Sequence, residues 1–288
     1  MMPGQENLDD HYDSGYIHHY TSLESLALIL SGRKIRFNRL DRVDDVVESA
    51  PIHGYDLAQF LYVSCWSDDK QESIQMWQLT PGMSGVRISV PADMFQRKPL
   101  PKDAQLGVWT EPGTESLFTY DELFRRDRWV LPLCNFWNAF YNEVEYVSDP
   151  QVVREEHVTI SLNQQTGSFS MQSAGPSTIA KYKGTEWAWQ NEVRFVILAT
   201  PGQSNVNTAT LQNLPNRFAT AVANHHAPEA TSIDADLSDE AIERIKIRRG
   251  PLMSKGQRTL LESIIDRYAP NATVQDSRFT GKIRIPRR

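Results

Sequence analysis

Cysteine is scarce in this chain: two residues, Cys65 and Cys134, in 288. They lie far apart, each in an apolar run, which excludes a disulfide framework or a zinc site of ordinary spacing and leaves buried free thiols as the reading. Long hydrophobic runs are missing too, and no window reaches the apolar length that crosses a bilayer. The first fifteen residues are polar and acidic, with no basic start or apolar stretch ahead of a small-residue cleavage site, so a cytoplasmic protein is expected, without a membrane partner. Excess positive charge is absent: 30 Lys and Arg stand against 36 Asp and Glu, a formal charge of -6. That balance argues against a protein that coats nucleic acid by bulk electrostatics. Internal repeats and low-complexity tracts are also missing.

What is there is a core-forming composition, 40% hydrophobic with seven tryptophans, enough for one domain with insertions or with a small appendage. Alternation predicts a strand over Tyr16–Tyr20, with Tyr16, His18 and Tyr20 on one face and Ile17 and His19 on the other. A helix follows, capped by Thr21 or Ser22, carrying Leu23, Leu26 and Leu30 inward and closed by Gly32. "KIRFNRL" reads as a strand with Arg36 opposite Ile35 and Phe37. Further strands are expected at Phe60–Trp66, after the Pro-Gly turn of "QLTPGMSGVRISVP", at Val144–Val147 and at Glu192–Leu198. The end reads as strand ("RIKIRRG"), helix ("SKGQRTLLESIIDRYAP"), strand ("TVQDSRF") and strand ("GKIRIP"). The stretch "PGQSNVNTATLQNLPNRF" reads as loop-rich. Strands not regularly separated by helices make an α+β class.

Several residues carry chemistry. "GTEWAWQNEVRF" places Glu186, Glu192 and two indoles at the entrance to a central strand. An acid there is costly unless paired. Glu192 is therefore either a structural ion-pair member with Arg194 or another arginine, or a catalytic carboxylate facing a pocket. "HHYTS" offers His18 and His19 as core residues or catalysts. Arg36 suits a structural pair or a phosphate clamp, and Trp77 in "QMWQLT" is a core residue by default. Asp45 and Glu48 read as a solvated acidic loop. A metal-assisted nuclease built from His18, His19, Asp45 and Glu48 lacks a recognisable ligand spacing.

The blocks "HYTSLESLALILSGRKIRFNRL", Asp45 and Glu48, "FLYVSCWS", "QMWQL", "GTEWAWQNEVRF", and the closing "GPLMS" and "SRFTGKIRI" together resemble a bacterial family called domain of unknown function 2971, from Tyr16 to about Ile285. The chain has Asp44, Asp45 and Val46 where that family often has Asn-Asp-Pro. The family in turn is similar to the ADP-ribosyltransferase superfamily, most closely its DNA-modifying toxin branch. The resemblance implies one domain over residues 1–288, with a core from about 15 to 285 and an aromatic-rich insertion at 100–147. Its fold would be a split mixed and antiparallel β core with flanking helices. It implies NAD as substrate, with His19 and Thr21 holding the nicotinamide ribose or the adenosine side. Arg36 would contact the diphosphate or orient the ribose, Tyr20 or Trp77 would stack on nicotinamide, and Glu192 would be the catalytic acid. Transfer to a macromolecular acceptor, nucleic acid or protein, would place the chain in a toxin or phage-defence role, with an antitoxin as a further partner. The alternative is a non-catalytic module on the same scaffold that binds a nucleotide or a partner.

Overall fold

The structure is a computed structural model that describes residues 15–101, 115–131, 140–162, 169–173, 175, 177–204, 206 and 213–284. Cys134 and much of the 100–147 segment lie outside the described residues. Strand β1 (Tyr16–Thr21) leads into helix α1 (Leu23–Gly32), whose Leu23, Leu26 and Leu30 are buried one turn apart. The Ser22 hydroxyl caps it by accepting the Ser25 N–H at 3.1 Å. The left-handed residue that ends the helix is Arg33 (φ 51°), not a glycine; Gly32 is the last helical residue. Strand β2 (Lys34–Arg39) then alternates exposed and buried positions, as its sequence requires.

Strand β3 (Leu61–Ser67), short helix α2 (Ile74–Gln78) and strand β4 (Val86–Pro91) follow. From the aromatic segment come two short strands, β5 (Trp129–Leu131) and β6 (Tyr141–Glu143), and after them helix α3 (Pro150–His157). The long strand β7 (Glu192–Thr200) is buried throughout. The chain continues through helix α4 (Leu214–Ala223), strand β8 (Ser232–Asp236), strand β9 (Lys246–Arg249), helix α5 (Lys255–Tyr268) and strand β10 (Thr273–Asp276). Helix α4 corrects the loop expectation for "LPNRF": proline is accommodated in its first turn, where the missing N–H is no loss. Residues 281–284 of "GKIRIP" are turn and irregular chain rather than a strand.

These ten strands form one mixed sheet in the order β8-β2-β3-β1-β4-β9-β10, and β7 pairs with β3, β5 and β6. Every pairing is antiparallel except β9 with β10. The protein is thus α+β. Strand β7 runs along β3 from Leu61 to Ser67 and fills one edge of it. The other edge is shared: β2 pairs at Tyr62 and Val63, and β1 pairs at Ser67. Strands β1 and β2 therefore fork, with Ser64–Trp66 in the gap.

One face of the sheet packs Ile17, Phe37, Trp66, Ile88, Phe195 and Ile247 beneath α1 and α5. On the other face, Leu61, Val63, Val196 and Leu198 join a smaller apolar cluster around Leu57 and Phe60. Toward β1 that face turns polar: Ser67, Glu192, Arg194, His18, Ser89, Arg87 and Arg248 are all buried. Among the described residues no helix is long and apolar enough to cross a membrane.

Candidate functional site

Glu192 opens β7 on this polar face, directly opposite Ser67. Its Oε1 accepts from Arg194 Nε at 2.6 Å, and its Oε2 from Arg194 Nη2 at 3.1 Å and Lys183 Nζ at 3.2 Å. Arg194 turns its other side to Glu48, with Nη1 to Oε2 at 2.5 Å and Nη2 to Oε1 at 2.9 Å. Lys183 closes the square with a 3.2 Å contact to Glu48 and donates to Gln190 Oε1 at 2.8 Å. All four charged side chains are at most 6% exposed. Two acids against two cations leave no net charge, the condition under which such a cluster can be buried.

The positions of Lys183 and Glu48 follow from their surroundings. Lys183 sits in a short buried strand, Tyr182–Gly184, and its ammonium lies 4.7 Å from the Trp187 ring centroid. Glu48 belongs to a single 3-10 turn, Val46–Ser49, that Asp45 caps through Val47 N–H. Arg154 of α3 fixes that turn from below by donating to the carbonyls of Glu48 at 2.7 Å and Val47 at 2.6 Å. The backbone N–H of Glu192 donates to the Tyr146 hydroxyl at 2.8 Å.

Burial by itself would raise the Glu192 pKa, but Arg194 and then Lys183 hold it at about 2 against an ordinary 4.5. The thiol of Cys65, opposite Arg194 in the sheet, is pushed up by burial and by the Glu192 charge. Glu192, Lys183 and Arg194 are thus charged at neutral pH, and none of the three is an acid or base poised near 7.

The remaining residues singled out by sequence lie elsewhere. His19 donates from Nδ1 to the Cys65 carbonyl at 3.1 Å, inside the fork, and tilts against Trp66 at 5.2 Å; burial lowers its pKa. Thr21, two residues on, ends β1 opposite Val86. Alternation puts both on the apolar face, with Ile17. Tyr20, Arg36 and Glu192 lie on the opposite face. Tyr20 meets Trp77 edge-on at 4.9 Å, and its hydroxyl accepts the Ser73 N–H at 3.4 Å. Trp77 is fully buried and donates to Glu72 Oε2 at 2.9 Å. Arg36 makes a two-pronged pair with Asp234 across β2 and β8, at 2.8 and 3.0 Å, with 62% of its side chain exposed. Glu192 is therefore gathered with Glu48, Lys183 and Arg194, while Arg36 stands apart from them at the outer side of the fork. His18 and His19 point to opposite faces and do not converge with Asp45 and Glu48.

Sequence reasoning missed Lys183 and Glu72. The visible signal for Lys183 was a lysine between Tyr182 and two indoles in "KYKGTEWAW". Glu72 accepts from Trp77, Arg248, Ser277 and the Arg278 N–H, a set that no local pattern announces. No family model, curated protein or solved structure matches the chain.

Proposed function

We propose that the protein is a nucleotide-binding module on an ADP-ribosyltransferase-like scaffold, one that recognises NAD or its ADP-ribose portion without consuming it. The observation that carries this reading is the state of Glu192: both carboxylate oxygens already accept from Arg194 and Lys183, and the side chain is 6% exposed. A carboxylate that stabilises an oxocarbenium-like ribose must offer an accessible lone pair to the ribose 2'-hydroxyl; here cations take three of its roughly four acceptor positions, the Cys65 thiol adds a contact, and the side chain is buried. The fork between β1 and β2 is the natural cleft on such a scaffold. His19 lies within it on the apolar face and Arg36 at its outer side on the opposite face, two of the side chains that the family resemblance assigns to NAD.

A second reading is favoured by one feature of the same residue: a pKa of about 2 keeps Glu192 ionised at every physiological pH, the form a transferase needs. In that reaction the bond from ribose C1' to the nicotinamide nitrogen breaks and nicotinamide leaves. A nucleophile on a nucleic acid or protein acceptor then attacks C1' and gives up its proton. Titration calorimetry with NAD and ADP-ribose, run beside a nicotinamide-release assay with RNA, DNA and protein pools, separates the two. Binding without release is the expected result. Release that vanishes in Glu192→Gln would replace the module with the transferase, and neither binding nor release would overturn both.

A further inference from the structure

Strand β1 lies between β3 and β4, so the chain that joins those two strands, residues 68–85, must cross over β1. It leaves β3 at Ser67, opposite His18, and enters β4 at Val86, opposite Thr21. The crossing runs on the polar face, where Tyr20 meets Trp77 edge-on at 4.9 Å and accepts the Ser73 N–H at 3.4 Å. Among the described residues, every backbone-to-backbone hydrogen bond made by residues 69–82 has its partner between 69 and 84. No ladder ties this segment to the sheet beneath it.

Side chains hold it there instead. Arg87 donates to the Lys70 carbonyl at 3.2 Å, and the Trp77 ring is fully buried. Glu72 accepts from Trp77 and from Arg248 of β9, each at 2.9 Å. Its remaining donors come from the turn that follows β10: the Ser277 hydroxyl on Oε2 and the Arg278 N–H on Oε1 at 2.9 Å. The Arg278 guanidinium reaches back to the same place, with Nη2 on the Glu72 carbonyl at 2.7 Å and Nη1 on Gln71 Oε1 at 3.2 Å. Each end of the crossing is anchored by backbone. The Asp68 N–H donates to the Asn191 carbonyl at 2.9 Å, and the Met83 carbonyl accepts the Leu252 N–H at 3.2 Å. At the second anchor Gly82 (φ 60°) and Met83 (φ 54°) are consecutive left-handed residues, a sharp bend of the kind that absorbs a hinge motion.

We propose that residues 69–82 are a lid on the polar face and that the C-terminal turn, Ser277–Phe279, is its latch. When the turn lets go of Gln71 and Glu72, the lid swings on Gly82 and Met83 while the strands below stay paired. Opening uncovers Tyr20 and Trp77 and gives a ligand a way to the polar face. Proteins open in cooperative units below the free energy of global unfolding, and a segment without ladder bonds to its neighbours is such a unit. The latch stands whether or not the protein binds NAD.

Native-state hydrogen exchange on the intact protein, in urea below the unfolding transition, tests it. The probes are the N–H groups of Trp77 and Thr80 in the lid, those of Ser277 and Thr280 in the turn, and the amides of β3 and β7. Lid and turn are expected to share one opening free energy and one urea dependence, both below those of β3 and β7. Arg278→Ala, at a partly exposed side chain, speeds lid exchange about tenfold, the loss of a hydrogen bond from a charged donor. Arg278→Lys keeps the charge but loses the two-pronged reach, and gives a smaller rise that is measurable even where the alanine variant folds poorly. Ser22→Ala, which weakens the cap of α1 on the other face, speeds exchange in β3 and β7 and leaves the lid unchanged. Lid amides that open only together with β3 and β7 overturn the lid. Lid exchange that is the same in both Arg278 variants as in the native chain, or that proceeds while Ser277 and Thr280 stay protected, overturns the latch.

Discussion

Glu192 shows how one residue can be read correctly in type and remain open in role until its neighbours are known. Glu192→Gln keeps the shape but leaves Arg194 and Lys183 with only Glu48 to balance them, so unfolding free energy falls by about 3 kcal/mol, measured by urea denaturation. Glu48→Gln acts on the same square, and the double variant loses more than the sum, because it leaves Lys183 and Arg194 buried with no carboxylate. The pH dependence has a definite sign. The folded pKa of about 2 lies below the ordinary 4.5, so the unfolded chain binds the proton more readily between those values. The stabilisation is complete above about pH 4.5 and is lost as pH falls toward 2. Equilibrium unfolding across that window gives a shallower slope for Glu192→Gln than for the native chain. At this scale the sequence announced an ion pair with Arg194 as one of two readings for Glu192. It could not announce Glu48, 146 residues from Arg194, because pairing over that distance leaves no local period.

Elements were more legible where periodicity was strong. Helix α1, strands β1 to β4 and strand β7 could be read because apolar residues recur at the spacing of one face. Strand β8 could not: "SIDAD" alternates Ile233 and Ala235 with three polar residues, but it is short and acidic, and what holds it is the distant β2, beside whose Phe37 and Ile35 it buries Ile233 and Ala235. Helix α5 is capped within "SKGQ". Ser254 accepts the Gln257 N–H while Gln257 accepts the Ser254 N–H, so Ser254→Ala costs about 1 kcal/mol, read from a thermal melt. Close approach is the harder signal to see in advance. A Cβ on Gly85 would sit 2.1 Å from the Thr21 carbonyl oxygen, where β4 begins beside the end of β1. Gly85→Ala must separate those strands and destabilises the protein by about 2 kcal/mol, with loss of amide protection concentrated in β1 and β4 as the check by hydrogen exchange.

For the whole molecule, the sheet order joins the beginning of the chain to its end. Strand β1 pairs with β4, β4 with β9, and β9 with β10, while β8 returns to β2. Most strand neighbours are distant in sequence, so refolding from denaturant should proceed in milliseconds to seconds or more slowly, not in the microseconds of helical bundles, as stopped-flow tryptophan fluorescence would report. The α+β class was readable from the irregular mix of strands and helices. The fork was not, because which strands share an edge of β3 is decided by long-range pairing that no single segment encodes.

Glu72 ties these distances together. Its carboxylate holds Trp77 from its own neighbourhood, Arg248 from β9, and Ser277 and Arg278 from beyond β10. On the ribosome, the codon for Glu72 is translated long before those for its last two partners. The nascent chain carries this acid hydrated by water, not by its native partners, until Ser277 and Arg278 have left the exit tunnel. Synthesis, and not only sequence, therefore sets the earliest moment at which the native state can close. A stalled or shortened product would present Glu72 and the Trp77 indole, incompletely paired, to chaperones and proteases.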